Sequence, residues 1–421
     1  MTTAGIVIIG AGQAGARAAD SLRDAGYAGR IRLIGDEREP PYERPALSKG
    51  VLLAAAVPES TLVHPRDYYA SRNIELATGV AAVALAPEAR EVFLSDGTTV
   101  AYEKLLIATG SRVRPLPGAP EGLAGVFYLR TLADSTALGE ALVPGRRIVV
   151  IGGGYLGLEI AASAVQRGCR VTIVEREPHL LARVMPRAIG DAIEGVHRAK
   201  GVDVRLGTAL ARITGEATVT GVELADGTAL GADAVVIAIG IIPNTELAES
   251  AGAQSSDGLV VDEYGRTSLP EVYAAGDVTN QPCRHAGRRM RLESWQNAQN
   301  QAIAVARNMV GEPTPYQELP WFWSDQYDLN IQMFGIAAPD ARIVWRGEPG
   351  AARSLAFAIE QGRLTMAVGF NAAADLRAVR RLIEAGVPVD PAALEDASRK
   401  LKDLVKELAG GTVERKLAVG A

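Results

Sequence analysis

The feature that most constrains this chain is a repeat. A run of apolar, mostly β-branched residues, Ile6-Val7-Ile8-Ile9, leads into Gly10-Ala11-Gly12-Gln13-Ala14-Gly15 and then into a helical pattern over 16–22. The same order returns at Ile148-Val149-Val150-Ile151, Gly152-Gly153-Gly154-Tyr155-Leu156-Gly157 and a helical pattern over 158–164. G-x-G-x-x-G alone is a weak signal; between a buried strand and a helix it is a dinucleotide fingerprint. The first glycine permits a tight turn, the second lets the backbone approach a pyrophosphate, and the third lets helix pack on strand. The helix N-terminus then offers free N–H groups and a positive dipole end to the phosphates. In each copy a second strand ends at an acid. Ile31-Arg32-Leu33-Ile34 leads to Asp36, 21 residues after Gly15, and Val171-Thr172-Ile173-Val174 leads to Glu175, 18 residues after Gly157. A carboxylate at that distance accepts from a ribose 2′-OH.

The duplication extends further. Asp96-Gly97-Thr98 and Asp226-Gly227-Thr228 read as hairpin turns, and each is followed by an apolar strand that ends at Gly110 or Gly240, 13 residues after its turn glycine. One βαβ-plus-hairpin unit therefore occurs twice, which implies two different dinucleotides. From the last fingerprint glycine to the Asp-Gly turn is 82 residues in the first copy and 70 in the second. The extra chain of the first copy includes Pro40-Pro41-Tyr42-Glu43-Arg44-Pro45-Ala46-Leu47-Ser48-Lys49-Gly50. Its prolines forbid a regular helix or central strand. It brings Arg44 and Lys49 just after a nucleotide-binding strand, where such a loop can fold over the cofactor.

Further strands are expected at 258–262 and 271–277, and a helix over 294–309 with Ser294 as its N-cap. From Pro320 the texture changes. Trp321-Phe322-Trp323 concentrates aromatics, four short apolar stretches between 331 and 368 read as an antiparallel meander, and helices are expected near 375–385 and 392–408. Residues 410–421 show no periodicity and read as a disordered tail. The fold class is α/β, with two Rossmann-like domains of the glutathione reductase kind and a small α+β C-terminal domain.

A length of 421 residues allows two or three domains, and a net charge of −5 argues against polybasic binding to nucleic acid. Cys169 and Cys283 form neither a C-x-x-C pair nor a disulfide framework. No apolar run reaches membrane-spanning length, and the first strand starts too early for a signal peptide. A cytoplasmic protein without membrane or nucleic-acid partners is expected.

Specific segments carry a family resemblance: Pro45-Ala46-Leu47-Ser48-Lys49, Ala108-Thr109-Gly110, Tyr128-Leu129-Arg130-Thr131, the fingerprint run Ile151–Glu159, Ile242-Pro243-Asn244, Gly276-Asp277, Arg291-Leu292-Glu293-Ser294 and Trp321-Phe322-Trp323-Ser324-Asp325-Gln326-Tyr327. Over residues 5–408 the chain resembles the two-dinucleotide flavoprotein reductases. Within them it resembles the FAD-dependent NADH:ferredoxin reductases of P450 and Rieske oxygenase systems, the putidaredoxin reductase type. The resemblance implies FAD on the first copy and NADH on the second. It implies an FAD domain of 1–113 plus 241–318, an NAD domain of 114–240 and a C-terminal domain of 319–409. It places Ala14, Asp36, Lys49, Ala82, Arg130, Asp277 and Trp295 against FAD, with Trp295 standing where the type has a smaller residue. With the residues read directly, the FAD set is Gly10, Gly12, Ala14, Gly15, Asp36, Arg44, Lys49, Ala82, Ala108, Gly110, Arg130, Asp277, Ser294, Trp295 and Trp323. The NAD set is Gly152, Gly154, Tyr155, Gly157, Glu159, Glu175 and Gly240. Lys49 and Glu159 would pair beside the flavin, Trp323 would cover it or the route outward, and Glu175 would favour NADH over NADPH, with Arg176 next to it softening the choice.

The implied reaction passes a hydride from NADH to FAD and then single electrons to a [2Fe-2S] ferredoxin, with Arg284, Arg288, Arg289 and Arg291 as a candidate docking cluster. A rubredoxin reductase, a dehydroascorbate-radical reductase, an NADH oxidase or a disulfide reductase of the same fold are the rival enzymes. Disulfide reduction needs a redox-active thiol beside the flavin, and no cysteine lies in the first copy after Asp36. An interaction protein resembling apoptosis-inducing factor would carry targeting segments or large basic patches, and neither is seen.

Overall fold

The computed structural model describes residues 4–120 and 122–408. The tail expected at 410–421 lies outside them. The described chain forms two compact units. One comprises residues up to Ala46, Ala56–Arg112 and Ile241–Pro320; the other comprises Leu47–Ala55, Val113–Gly240 and the chain from Trp321 on.

The first unit is built on a parallel sheet in the order Ile74–Ala77, Ile31–Ile34, Gly5–Ile9, Thr99–Ile107, Val272–Ala274. The central strand Gly5–Ile9 is buried along its whole length because both faces are covered, as parallel sheets require. On one face the helices Gln13–Asp24 and Trp295–Met309 share a core in which Ala16, Ala18, Ala19 and Leu22 meet Ala302, Val305, Ala306 and Met309. The alanines let the helices approach closely. The start of Thr99–Ile107 also pairs antiparallel with Glu91–Leu94, which pairs with Ala82–Ala86. The expected strand ending at Gly110 and the arm of the Asp96-Gly97 hairpin are therefore one strand.

The second unit repeats this plan. Its parallel sheet runs Asp203–Arg205, Arg170–Val174, Arg147–Ile151, Ala234–Ile237, Val126–Phe127, and its antiparallel excursion is Leu210–Gly215, Val219–Leu224, Ala229–Gly231. The fifth strand comes from opposite ends in the two copies, from downstream chain in the first and upstream chain in the second.

The same unit carries a five-stranded antiparallel sheet in the order Trp321–Gln326, Leu329–Gly335, Arg363–Phe370, Ser354–Glu360, Arg342–Arg346. This corrects the expected meander. Arg363–Phe370, apolar and mostly buried, takes the centre, and Arg342–Arg346, which is less buried, is left at an edge. The helix Ala373–Ala385 forms as expected. The helix expected over 392–408 is interrupted: Pro391–Glu395 is helical, and the helix resumes only at 401–408. Asp396 accepts from the Ser398 N–H at 2.9 Å and from its hydroxyl at 2.5 Å, a local turn that competes with the helix.

Candidate active site

In the first unit the three fingerprint glycines do different work. Gly10 has φ +109°, and a Cβ there would lie 2.1 Å from the Ala108 carbonyl oxygen; one on Gly15 would lie 1.9 Å from that of Gly10. A Cβ on Gly12 would meet nothing within 4 Å. The outer glycines are packing requirements, and the middle one faces open space at the N-terminus of Gln13–Asp24. This is a cradle of the shape a pyrophosphate fills, and in this respect the residues fit a dinucleotide.

Around it, Ala108 donates its N–H to the Ile9 carbonyl at 2.7 Å, and Gly110 turns the chain with φ +62°. Ala14 is buried against Gly276, where a Cβ would lie 3.1 Å from its own. The Gly276-Asp277 turn is held by residues that sequence reasoning missed. Gln301 Oε1 accepts from the Gly276 N–H at 2.8 Å and the Thr279 hydroxyl at 3.1 Å, and the Ser111 hydroxyl donates to Asp277 at 3.1 Å. Their signals were position alone: Ser111 follows Gly110, and Gln301 lies two helical turns beyond Ser294. Ser294 caps the helix as expected, its hydroxyl accepting from the Asn297 N–H at 3.1 Å, which places Trp295 at the first helical residue.

Asp36 is exposed, and Ala82 opens its strand. Arg44 pairs with Glu37, the neighbour of Asp36, at 2.5 Å, and the Tyr42 hydroxyl donates to the same carboxylate. Burial works against the Arg44 charge, yet Tyr42, Glu37 and Asp277 outweigh it and hold its pKa above the ordinary value.

The second unit has the same turn. A Cβ on Gly152 (φ +111°) would lie 2.4 Å from the Ala238 carbonyl oxygen and one on Gly157 2.1 Å from that of Gly152, whereas one on Gly154 would meet nothing within 4 Å. Here the acid closes on the turn: Glu175 accepts from the Gly153 N–H at 2.6 Å and the Glu177 N–H at 2.9 Å. Gly240 turns the chain just beyond Ala234–Ile237 with φ +107°. Tyr155, at the helix start, packs on Phe322 with ring centroids 4.4 Å apart, and burial and the nearby Glu159 raise its phenol pKa. Arg130 precedes the Thr131 capping box of Leu132–Ala141 and donates its N–H to Asp134 at 2.9 Å.

The prolyl loop is divided, its end belonging to this second unit. Ser135 donates to the Leu47 carbonyl and Ser163 to the Ser48 carbonyl, both at 2.7 Å, and Arg167 donates to the Leu52 carbonyl at 2.8 Å. Pinned in this way, Lys49 Nζ lies 3.0 Å from Glu159 Oε1 and 5.6 Å from the Trp323 ring centroid. Glu159 is buried, 6% exposed, and also accepts from Ser48 Oγ at 2.5 Å and Ser324 Oγ at 2.7 Å. The expected pair therefore forms, with two hydroxyls that sequence reasoning had not assigned. Trp323 also stacks on Trp321 at 5.1 Å and donates its indole N–H to Asp325 at 3.2 Å.

The arginine cluster is only partly available. Cys283 ends the strand Thr279–Cys283, which pairs with Arg288–Met290. Arg289 donates to the Val261 carbonyl and, at 2.7 Å, to that of Asn280, and Arg291 pairs with Asp257 at 3.1 Å and with Glu293. Arg284 and Arg288 are exposed and border a cavity of about 300 Å³ with Glu263 and Tyr316. Both cysteines are buried and free, and burial pushes the Cys169 thiol up in pKa, the opposite of an activated thiolate. Among the described residues no helix is long and apolar enough to cross a membrane.

Residues 4–302 match the pyridine nucleotide-disulphide oxidoreductase family and residues 321–405 the reductase C-terminal family. The chain is 41% identical to the ferredoxin–NAD(+) reductase component of the anthranilate 1,2-dioxygenase system of Burkholderia cepacia, over 94% of this chain and 98% of that one. It is 38% identical to putidaredoxin reductase of Pseudomonas putida, over 95% and 96% of the two chains. Its fold superposes on the reductase in the covalent putidaredoxin reductase–putidaredoxin complex with a TM-score of 0.93 at 36% identity, covering 97% of this chain and 99% of that one. The chain belongs to the pyridine nucleotide-disulphide oxidoreductase family. It is an oxidoreductase that uses FAD and NAD(H).

Proposed function

We propose that this chain is the reductase of a multicomponent oxygenase, taking electrons from NADH and delivering them to a [2Fe-2S] ferredoxin. FAD, when bound, supplies the conversion of a two-electron hydride into two single-electron transfers. The observation that carries the reading is the pair of fingerprint turns, each with its middle glycine open to a phosphate, in a chain whose two thiols are both buried. We assign FAD to the turn Gly10–Gly15 with Asp36, Arg44, Ala82 and Asp277, and to the helix that begins at Trp295. We assign NADH to Gly152–Gly157 with Tyr155 and Glu175.

Lys49, Glu159 and Trp323 are assigned to the reacting end of the flavin, and Arg130 to its binding, the roles the resemblance implies. At that end the chain itself holds a charged ammonium against a buried carboxylate and shields the pair with an indole. One relative belongs to a dioxygenase system, and a solved structure 38% identical to this chain is the ferredoxin reductase for the CYP199A2 system, so both kinds of terminal oxygenase fit. The cytoplasm, a reducing compartment, suits two unpaired cysteines. The test is a panel of acceptors offered to the FAD-loaded protein with NADH: [2Fe-2S] ferredoxins, rubredoxin, a disulfide and oxygen. Fastest turnover with a ferredoxin is expected; preference for the disulfide or for oxygen would overturn the assignment.

A further inference from the structure

The second unit contains a buried row of polar groups that the proposed reaction does not use. The strand Trp321–Gln326 alternates, so Phe322, Ser324 and Gln326 share one face. Ser324 and Gln326 are 0% and 1% exposed, and His197, on the helix Arg187–Ala199, is 0% exposed. Ser324 Oγ is 2.7 Å from Glu159 Oε1, Gln326 Nε2 is 3.0 Å from Ser324 Oγ, Gln326 Oε1 is 2.9 Å from His197 Nε2, and His197 Nδ1 is 2.9 Å from the Tyr327 hydroxyl.

The donor inventory gives this row a direction. A carboxylate only accepts, so the Ser324 proton goes to Glu159. The Ser324 oxygen must then accept, which requires the amide NH₂ of Gln326 to face it. The Gln326 carbonyl therefore faces His197 and must receive Nε2–H. A neutral imidazole has one N–H, so Nδ1 is the acceptor and takes the Tyr327 proton. Burial lowers the His197 pKa to about 4, so the ring is neutral near pH 7. Every donor in the row points toward Glu159. The far end is anchored: Tyr327 holds a left-handed φ of +57°, uncommon for a bulky residue, and Lys200 Nζ lies 5.4 Å from its ring centroid. The titratable groups facing the carboxylate itself are Lys49 and, on its own helix, Tyr155.

We propose that Ser324, Gln326, His197 and Tyr327 form a one-way hydrogen-bond chain that holds Glu159 as an oriented carboxylate partner for Lys49. They are positioning residues, and the inference rests on the assignment of Lys49 and Glu159 to the reacting end of the flavin. Hydrogen bonds to a charged group are roughly twice as strong as neutral ones, so losing the first link should be felt at the carboxylate.

The test is anaerobic stopped-flow reduction of the FAD-loaded protein over a range of NADH concentrations up to saturation. Ser324→Ala is expected to lower the limiting rate about tenfold, the effect of one charge-assisted hydrogen bond. The loss should fall on the limiting rate and leave the NADH concentration at half of that rate unchanged. Ser324→Thr, which keeps the hydroxyl, should restore the rate. Tyr327→Phe should lower the limiting rate the same way by less, and it carries the test if Ser324→Ala fails to fold. A wild-type limiting rate in Ser324→Ala, or in Tyr327→Phe where that variant stands alone, together with a slow Glu159→Gln would overturn the chain and leave the assignment of Glu159 standing. A Glu159→Gln protein reduced at the wild-type rate would overturn that assignment and the chain with it.

Discussion

The two nucleotide folds share a turn and part company immediately after it. The Gly10 N–H donates to the Ile34 carbonyl and the Gly152 N–H to the Val174 carbonyl, so the two strand ends are in register. The next residue is Gly35 in one and Glu175 in the other. Glu175 folds back onto the Gly153 amide; Gly35 cannot, and even a Cβ there would lie 2.5 Å from that of Ala11. The acid of the first copy stands one residue later, at the exposed Asp36. Two residues beyond the third glycine, the first helix has the half-buried Arg17 and the second has Glu159, buried and bonded to Ser48, Lys49 and Ser324. The shared positions build a dinucleotide cradle, and the positions that differ decide what each cradle is for.

The most damaging way to break the comparison is to fill its common element. Gly15→Ala and Gly157→Ala each force a Cβ against a backbone oxygen and should each cost about 3 kcal/mol, read from the urea midpoint. The middle glycines should behave otherwise. Gly12→Ala and Gly154→Ala add a methyl to open space at permitted backbone angles. They should leave stability near wild type but weaken one ligand each by roughly tenfold, FAD for Gly12 and NADH for Gly154, measured by flavin retention and by NADH titration. Loss of the same ligand from both variants would show that the two cradles are not separate sites.

Acid should act on the fully buried His197 of the second unit. His197 titrates near 4 in the fold, below its ordinary value of 6.5. As pH falls through 6.5 the unfolded chain takes up the proton first, so stability drops between about 6.5 and 4 and is level beyond, a loss of up to about 3 kcal/mol. His197→Asn should flatten the melting temperature over that interval; an unchanged slope would assign the loss to other groups.

Smaller effects separate cofactor choice from partner docking. Glu175→Ala removes a charged acceptor and should raise the KM for NADH about tenfold while changing that for NADPH less. An unchanged ratio would move the preference elsewhere. Arg288→Glu should slow ferredoxin reduction a few-fold at low salt and spare ferricyanide reduction by NADH, as for an exposed interface charge. Equal loss of both activities would remove Arg288 from docking.

What could be read in advance followed physical range. The fingerprints, the Asp-Gly turns and the Ser294 cap are local, since each depends on backbone angles within a few residues, and all three formed where expected. The five-stranded antiparallel sheet defeated the reading because strand order depends on which segment can be buried on both faces, and periodicity in Arg342–Arg346 and Arg363–Phe370 does not reveal that. The helix break at Asp396 was written in Asp396-Ala397-Ser398 and was overlooked. Lys49 and Glu159 came from resemblance, and the structure brings them to 3.0 Å. Ser48, Ser324 and Gln326 stand in segments that carry the resemblance but have no role there, and His197 stands in none; only the fold brings these three segments to Glu159. The arginine run showed charge but not that Arg289 and Arg291 are already engaged within the first unit.

The most direct test of the whole account counts electrons. The FAD-loaded protein is mixed anaerobically with excess oxidised [2Fe-2S] ferredoxin, and NADH is added in small portions while reduced ferredoxin is recorded. A reductase that turns one hydride into two single-electron transfers should yield two reduced ferredoxins per NADH, with Glu159→Gln slowing the process without changing the ratio. NADH consumption with no ferredoxin reduced would contradict it.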